Sequence, residues 1–233
     1  MANNIVFISG ANRGLGLEFV RQLSTRGDTV IGGYRKADAS GELLKLADER
    51  DNVHAVRVEA TDRYDIENVK NFIHKQFGRL DILINNAGIH LKYSIPIDEL
   101  EPDEIIENFR VNVIGPFLTG KILKSLLAKS DNPRLINITS EMGSIARSSG
   151  GATPYRVSKA ALNMLSKNQS LEYKNSNITT IALHPGWVKT DMGGVNAPLE
   201  PPEAIGKMLQ VIDSLTPEQN GTFLSYSGET LEY

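Results

Sequence analysis

No cysteine occurs in the 233 residues of this chain, which excludes disulfides, thiolate nucleophiles and cysteine-ligated zinc or iron–sulfur clusters. No apolar run approaches the ~18 residues of a membrane-spanning helix. Charge of one sign is scarce as well: 25 Lys and Arg face 28 Asp and Glu, a formal net charge of -3, and no basic block is present. Nucleic acid and anionic membrane surfaces are therefore poor partners, and a small molecule is expected instead. The four histidines, His54, His74, His90 and His184, have no metal-ligand spacing, so no metal is expected. The opening MANNIVFISGANRG runs straight into an apolar segment without the paired regions of a signal peptide. Together with the missing cysteines, this predicts a cytoplasmic protein outside the secretory route.

What is present is a chain of 40% hydrophobic residues, long enough to bury a sizeable core and read as a single domain over 1–233. No internal repeat interrupts it, and its one proline-rich patch, NAPLEPPEA at 196–204, is too short and too late for a linker. Short β-branched runs at 5–9, 29–34, 53–58, 81–85, 134–140, 178–183 and 222–226 alternate with helix-like stretches near 15–25, 40–50, 62–77, 102–128, 154–173 and 202–215. Strands apolar on both faces, each followed by a helix, predict a mostly parallel seven-stranded sheet between two helical layers.

The first strand runs into SGANRGLGLEF, with Gly10, Gly14 and Gly16 spaced G-x-x-x-G-x-G. Glycines let a backbone approach a pyrophosphate closely, and the following helix aims its free N–H groups and positive end at it. A ligand-free turn between strand and helix is the plainer alternative. The second strand ends in Tyr34, Arg35 and Lys36, and Arg13 sits inside the glycine loop. Guanidinium groups there suit the 2′-phosphate of NADP, where a carboxylate would suit the ribose of NAD; Asp38, slightly further on, is the residue that could reverse this.

PYRVSKAAL, 154–162, places Tyr155 and Lys159 on one face of a helix whose N-cap is expected at Thr153. Seven tyrosines in this composition yield roughly 0.4 Tyr-x-x-x-Lys matches by chance, so the pair acquires meaning only from its context. A phenol ionises near ~10, and acid–base work at neutrality calls for about 4 kcal/mol of preferential phenolate stabilisation, which an ammonium and a positive nicotinamide in a dry site could supply.

The context is a set of motifs. Ser9-Gly10-Ala11-Asn12-Arg13-Gly14-Leu15-Gly16 is followed by Asn85-Asn86-Ala87-Gly88, then Asn112 in FRVNVIG, Ser140 in INITSEMGS, Tyr155 and Lys159 in YRVSK, and Pro185, Gly186 and Thr190 in HPGWVKT. In this order and spacing the chain resembles the short-chain dehydrogenase/reductase family, in its short single-domain branch, over nearly its whole length. The ISGANRGLGLEF start, the short segment after Thr190 and the ending NGTFLSYSGETLEY are similar to the carbonyl reductase group that includes the sniffer and C-factor-like proteins.

The resemblance implies a doubly wound Rossmann fold with strand order 3-2-1-4-5-6-7, and an NADPH-dependent oxidoreductase acting on CH–OH and C=O groups. In that scheme Tyr155 is the general acid/base, Ser140 binds the carbonyl oxygen, and Lys159 lowers the tyrosine pKa and holds the nicotinamide ribose. Asn112 anchors a proton-relaying water. Cofactor contacts fall to Gly10, Asn12, Arg13, Gly14, Leu15 and Gly16, to Arg35, to Asn86, Ala87 and Gly88, to Tyr155 and Lys159, and to Pro185, Gly186, Val188 and Thr190. Glu59 stands where relatives often have the Asp that contacts adenine. Thr139 and Ser144 compete with Ser140 for its role, Asn112 could instead bond neighbouring backbone, and Trp187 could line the substrate mouth or pack beneath its loop. Substrate would meet loops 90–98, 142–153 and 187–202; the short last one suggests an exposed pocket with broad carbonyl tolerance. Pairing through helices four and five points to a homodimer. The alternative is an NADP(H)-binding redox sensor or signalling protein with little turnover.

Overall fold

The computed structural model describes residues 3–91 and 95–233; of the loop 90–98, residues 92–94 lie outside the described residues. Seven parallel strands, β1 (Ile5–Ile8), β2 (Thr29–Tyr34), β3 (Val53–Arg57), β4 (Ile82–Asn85), β5 (Arg134–Ile138), β6 (Thr179–His184) and β7 (Phe223–Ser225), form one sheet in the order β3-β2-β1-β4-β5-β6-β7. The helices are α1 (Gly14–Thr25), α2 (Gly41–Glu49), α3 (Arg63–Phe77), α4 (Pro102–Phe109), α5 (Gly115–Leu127), α6 (Thr153–Glu172) and α7 (Pro201–Asp213).

Strand alternation sorts the core into two layers. In β1, Val6 and Ile8 pack with Phe19 and Leu23 of α1, Leu43 of α2 and Met208 of α7, whereas Ile5 and Phe7 pack with Ile66 and Ile73 of α3 and Leu123 of α5. Both faces of the strand are thus buried, which is why it reads as an unbroken apolar run. Local chemistry sets the helix ends: Asp62 accepts the Asp65 N–H at the start of α3, and Gly78 closes it in the left-handed region at φ 77. The chain crosses from β3, at one edge, to β4, which pairs with β1. The strand order reverses there, and a crevice opens beyond the carboxyl ends of β1 and β4.

Two expectations are corrected. The stretch 102–128 is not one helix: α4 and α5 are separated by a π-helical turn over Arg110–Ile114. Within it Asn112 turns inward and bonds Ile89 in the chain after β4, a contact that goes with the extra residue of a π turn. Nor does Thr153 cap α6. The cap position is Ala152, held at φ 48 after Gly150 and Gly151, both also at positive φ; that reversal turns the chain so sharply that Thr153 already lies within the first helical turn.

Candidate active site

The glycine loop is stitched to the loop after β4. Ser9 Oγ accepts the Asn86 and Ala87 N–H groups at 3.1 Å each, and Asn86 Nδ2 donates to the carbonyls of Ser9 and Gly10. Side chains at the glycines would break this contact: a Cβ on Gly10 would lie 2.9 Å from Ala87 Cα, and one on Gly16 2.2 Å from the Gly10 carbonyl oxygen. Gly10 and Gly14 also have positive φ, 66 and 53. The first turn of α1 has no side-chain cap and no acidic residue, so its N–H groups and positive end suit a phosphate carried in the cradle. These residues fit a dinucleotide. Asn86, expected to touch the cofactor, spends its amide on the loop carbonyls instead, and Asn12 Nδ2 ties the loop to the Ala39 carbonyl at 2.9 Å.

Across the crevice α6 presents Tyr155 and Lys159, 7% and 5% exposed. Ser140 stands beside the Tyr155 phenol and favours its ionised form, and Ser140 Oγ accepts the Met142 N–H at 3.1 Å. Its two competitors point elsewhere: Thr139 donates to Asn163 Oδ1 at 2.7 Å, and Ser144 accepts the Arg147 N–H. Lys159 Nζ donates to the Ile138 carbonyl at 2.9 Å. Without a cofactor the phenol pKa lies above its ordinary value. Burial pushes Tyr155 up to about 12 against the smaller opposing effect of Ser140, and burial brings Lys159 down to about 8. Removal from water disfavours the charged form of each group.

Asn112, fully buried, does not bond its own helix. Its Oδ1 accepts the Ile89 N–H at 2.8 Å, and its Nδ2 donates to the Ile89 carbonyl and to Ser158 Oγ at 2.9 Å each. Gly88 lies between, since a Cβ there would be 3.2 Å from Asn112 Oδ1 and 3.6 Å from Lys159 Nζ. Asn112, Gly88 and Lys159 therefore converge, as the sequence suggests.

Arg13 and Arg35 pair with different carboxylates. Arg13 pairs with Asp191 at 2.6 Å and Arg35 with Glu59 at 3.7 Å, both arginines being well exposed. Glu59 in turn accepts from Thr61 Oγ1 and the Thr61 N–H, so its carboxylate is engaged within its own loop. After β6, Gly186 turns at φ 82 and Val188 forms a bridge with Leu199. Thr190 stands against the Gly14 position, 3.6 Å from where a Cβ would sit, while Leu15 opens α1 beside it. Trp187 does not pack beneath this loop. It is 57% exposed and its indole N–H donates to the Gly193 carbonyl at 2.7 Å.

Sequence reading missed His90, whose ring stacks on Tyr155 with centroids 4.0 Å apart; its place two residues beyond Gly88 was the available signal. It also missed Asp191 as the partner of Arg13, Ser158 as the partner of Asn112, and Asn163, which joins Thr139 to the Gly143 carbonyl. Among the described residues no cluster of three or more His, Asp or Glu could hold a metal ion, and no helix is long and apolar enough to cross a membrane.

A short chain dehydrogenase family model matches residues 4–199. An uncharacterized oxidoreductase of Schizosaccharomyces pombe is 32% identical over 251 aligned positions, covering 99% of this chain and 98% of that protein. The carbonyl reductase Sniffer of Drosophila melanogaster superposes with a TM-score of 0.95 at 33% identity, over the whole of both chains. An NADPH-bound carbonyl reductase from chicken fatty liver gives 0.94 at 35% identity, again over both whole chains.

Proposed function

We propose, from the premise that this chain belongs to the short chain dehydrogenase family of oxidoreductases, that it is an NADPH-dependent carbonyl reductase built as one domain. The observation that carries this reading is the buried Tyr155 with Lys159 Nζ 5.6 Å from its ring centroid and Ser140 beside it, at the carboxyl ends of the central strands and next to a cradle shaped for a dinucleotide. NADP-bound relatives support the cofactor: the chicken enzyme holds NADPH, and a Burkholderia multivorans short-chain dehydrogenase/reductase holds NADP. When bound, NADPH supplies the hydride.

The residues do the rest. Tyr155 gives its phenol proton to the carbonyl oxygen, or withdraws it in the reverse direction. Ser140 donates to the same oxygen and fixes its position. A phenol held near 12 is protonated at neutral pH, the form that reduction requires. Lys159 holds the nicotinamide ribose, and Thr190 with the Pro185–Val188 backbone holds the carboxamide. The Asn112 side chain is committed to Ile89 and Ser158, so the relay water it anchors would sit at its backbone carbonyl. Pro116, four residues on, has no N–H to return to that carbonyl. Arg35 would hold the 2′-phosphate, since the exposed pair it makes with Glu59 is worth about 1 kcal/mol or less.

Trp187, Met192 and Val195 expose apolar surface on the short segment after β6, which favours apolar aldehydes and ketones over charged ones. A homodimer and a cytoplasmic location complete the reading. NADPH oxidation measured against a panel of aldehydes, ketones and quinones, beside Tyr155→Phe, tests it. A wild-type rate about 10²-fold or more above the variant is expected; a wild type no faster than Tyr155→Phe on every substrate would leave a binding protein.

A further inference from the structure

His90 sits face to face with Tyr155. The ring centroids are 4.0 Å apart and the planes 20° from parallel, so the imidazole covers one side of the phenol while Lys159 Nζ lies 5.6 Å from the Tyr155 ring centroid. The stack is fixed from both ends. On one side α6 holds the tyrosine. On the other, the backbone flanking His90 is gripped by two buried amides: Asn112 bonds both the N–H and the carbonyl of Ile89, and Asn108 Oδ1 accepts the Leu91 N–H at 3.3 Å. Asn112, in the π-helical turn, thus anchors the residue next to His90.

We propose that His90 is a positioning residue for the proton donor: its uncharged ring walls the phenol, keeps it aimed at Ser140, and keeps Lys159 the one cation beside it among the described residues. The inference rests on the acid/base role proposed for Tyr155. A flat ring at stacking distance restricts the phenol to one orientation and excludes water from its face. Charge on that ring would act against it. The groups facing His90 from α6 are Tyr155 and Lys159, and a second cation so close to the ammonium is disfavoured. Burial and then Lys159 lower the His90 pKa from 6.5, so the ring is neutral at pH 7 and gains its charge only in acid.

The test compares His90→Ala and His90→Phe with wild type and Tyr155→Phe, measuring kcat and KM for NADPH and for an aromatic aldehyde from about pH 5.5 to 9. In His90→Ala, kcat should fall about tenfold while KM for NADPH stays within about twofold. In His90→Phe, the ring is restored, most of kcat returns, and the wild type's acid decline, displaced to the acid side of a free imidazole, is absent. The proposal is overturned if His90→Ala keeps its kcat, if His90→Phe is as slow as His90→Ala, or if His90→Phe retains the wild-type acid decline. A Tyr155→Phe enzyme as active as wild type would instead remove the acid/base role itself, and with it the place of His90. Tyr155→Phe inactive beside unaffected His90 variants would refute the role of His90 alone.

Discussion

The Lys159 ammonium donates to the Ile138 carbonyl at 2.9 Å and stands 5.6 Å from the centroid of the Tyr155 ring. It is held by the end of β5 and faces a buried phenol. Its pKa, brought by burial from 10.5 to about 8, means that the folded protein binds this proton less well than the unfolded chain. The penalty is fully present below about pH 8 and is relieved as pH rises toward 10.5. Lys159→Met should therefore be inactive yet more stable at pH 7, by about 1 to 3 kcal/mol after the loss of the Ile138 bond. The gain should shrink between pH 8 and 10 in urea titrations; a variant less stable at pH 7 would contradict it. Tyr155 runs the other way: with its pKa raised from 10.0 to about 12, it contributes stability that is lost as pH rises above 10.

Arg35 and Arg13 answer to different carboxylates, and the cofactor preference should reveal which one matters. Charge-assisted hydrogen bonds to a phosphate are worth about 1.5 to 3 kcal/mol. Arg35→Ala should raise KM for NADPH about 10- to 100-fold and leave KM for NADH nearly unchanged. Asp191→Asn, which frees Arg13 from an exposed pair, should lower KM for NADPH by less than about fivefold. Equal losses for both cofactors in Arg35→Ala would place the 2′-phosphate elsewhere.

The sheet was legible because both its layers write themselves into β1: Ile5 and Phe7 alternate with Val6 and Ile8, and all four are buried. The family motifs were legible because each is local, whether a glycine spacing, an Asn-Asn-Ala-Gly loop or a Tyr and Lys one helical turn apart. What stayed hidden depends on partners distant in the chain. Asn112 looks like a mid-helix residue until Ile89, 23 positions earlier, receives its amide and the helix opens into a π turn. Arg13 meets Asp191 across 178 positions, and no local pattern encodes that pair. The burial that raises the Tyr155 pKa stayed hidden for a related reason. Spacing reports the neighbouring lysine, but the burial is set by the whole site.

The glycines make unequal demands. A methyl group on Gly16 would sit 2.2 Å from the Gly10 carbonyl and 2.6 Å from Asn86 Nδ2, forcing apart the two loops that form the cradle. Gly16→Ala should destabilise the protein by about 2 kcal/mol or more and abolish NADPH binding. Gly41, at the start of α2, meets nothing within 4 Å and has no positive φ. Gly41→Ala should stabilise by up to about 1 kcal/mol with unchanged activity. Thermal melts and fluorescence titration with NADPH read both outcomes, and a harmless Gly16→Ala would mean that the loops close differently.

The outer side of α6 carries the prediction about assembly. Val157, Met164 and Leu171 recur every seventh residue and are 46%, 61% and 62% exposed, while Ile106 and Phe109 of α4, Ile114 of the π turn and Phe117 of α5 expose a second apolar set. Two copies meeting through α4, α5 and α6 would bury both sets, and so many apolar side chains are costly to leave in water. Met164→Glu places a charge on this face and should convert a dimer into a monomer in sedimentation equilibrium. The same helix holds Tyr155 and Lys159 on its inner side, so losing its outer support should loosen the proton donor as well, lowering kcat by less than about tenfold while KM for NADPH changes little. A wild type that sediments as a monomer would overturn the homodimer. A monomeric Met164→Glu with full kcat would keep the interface but sever it from catalysis.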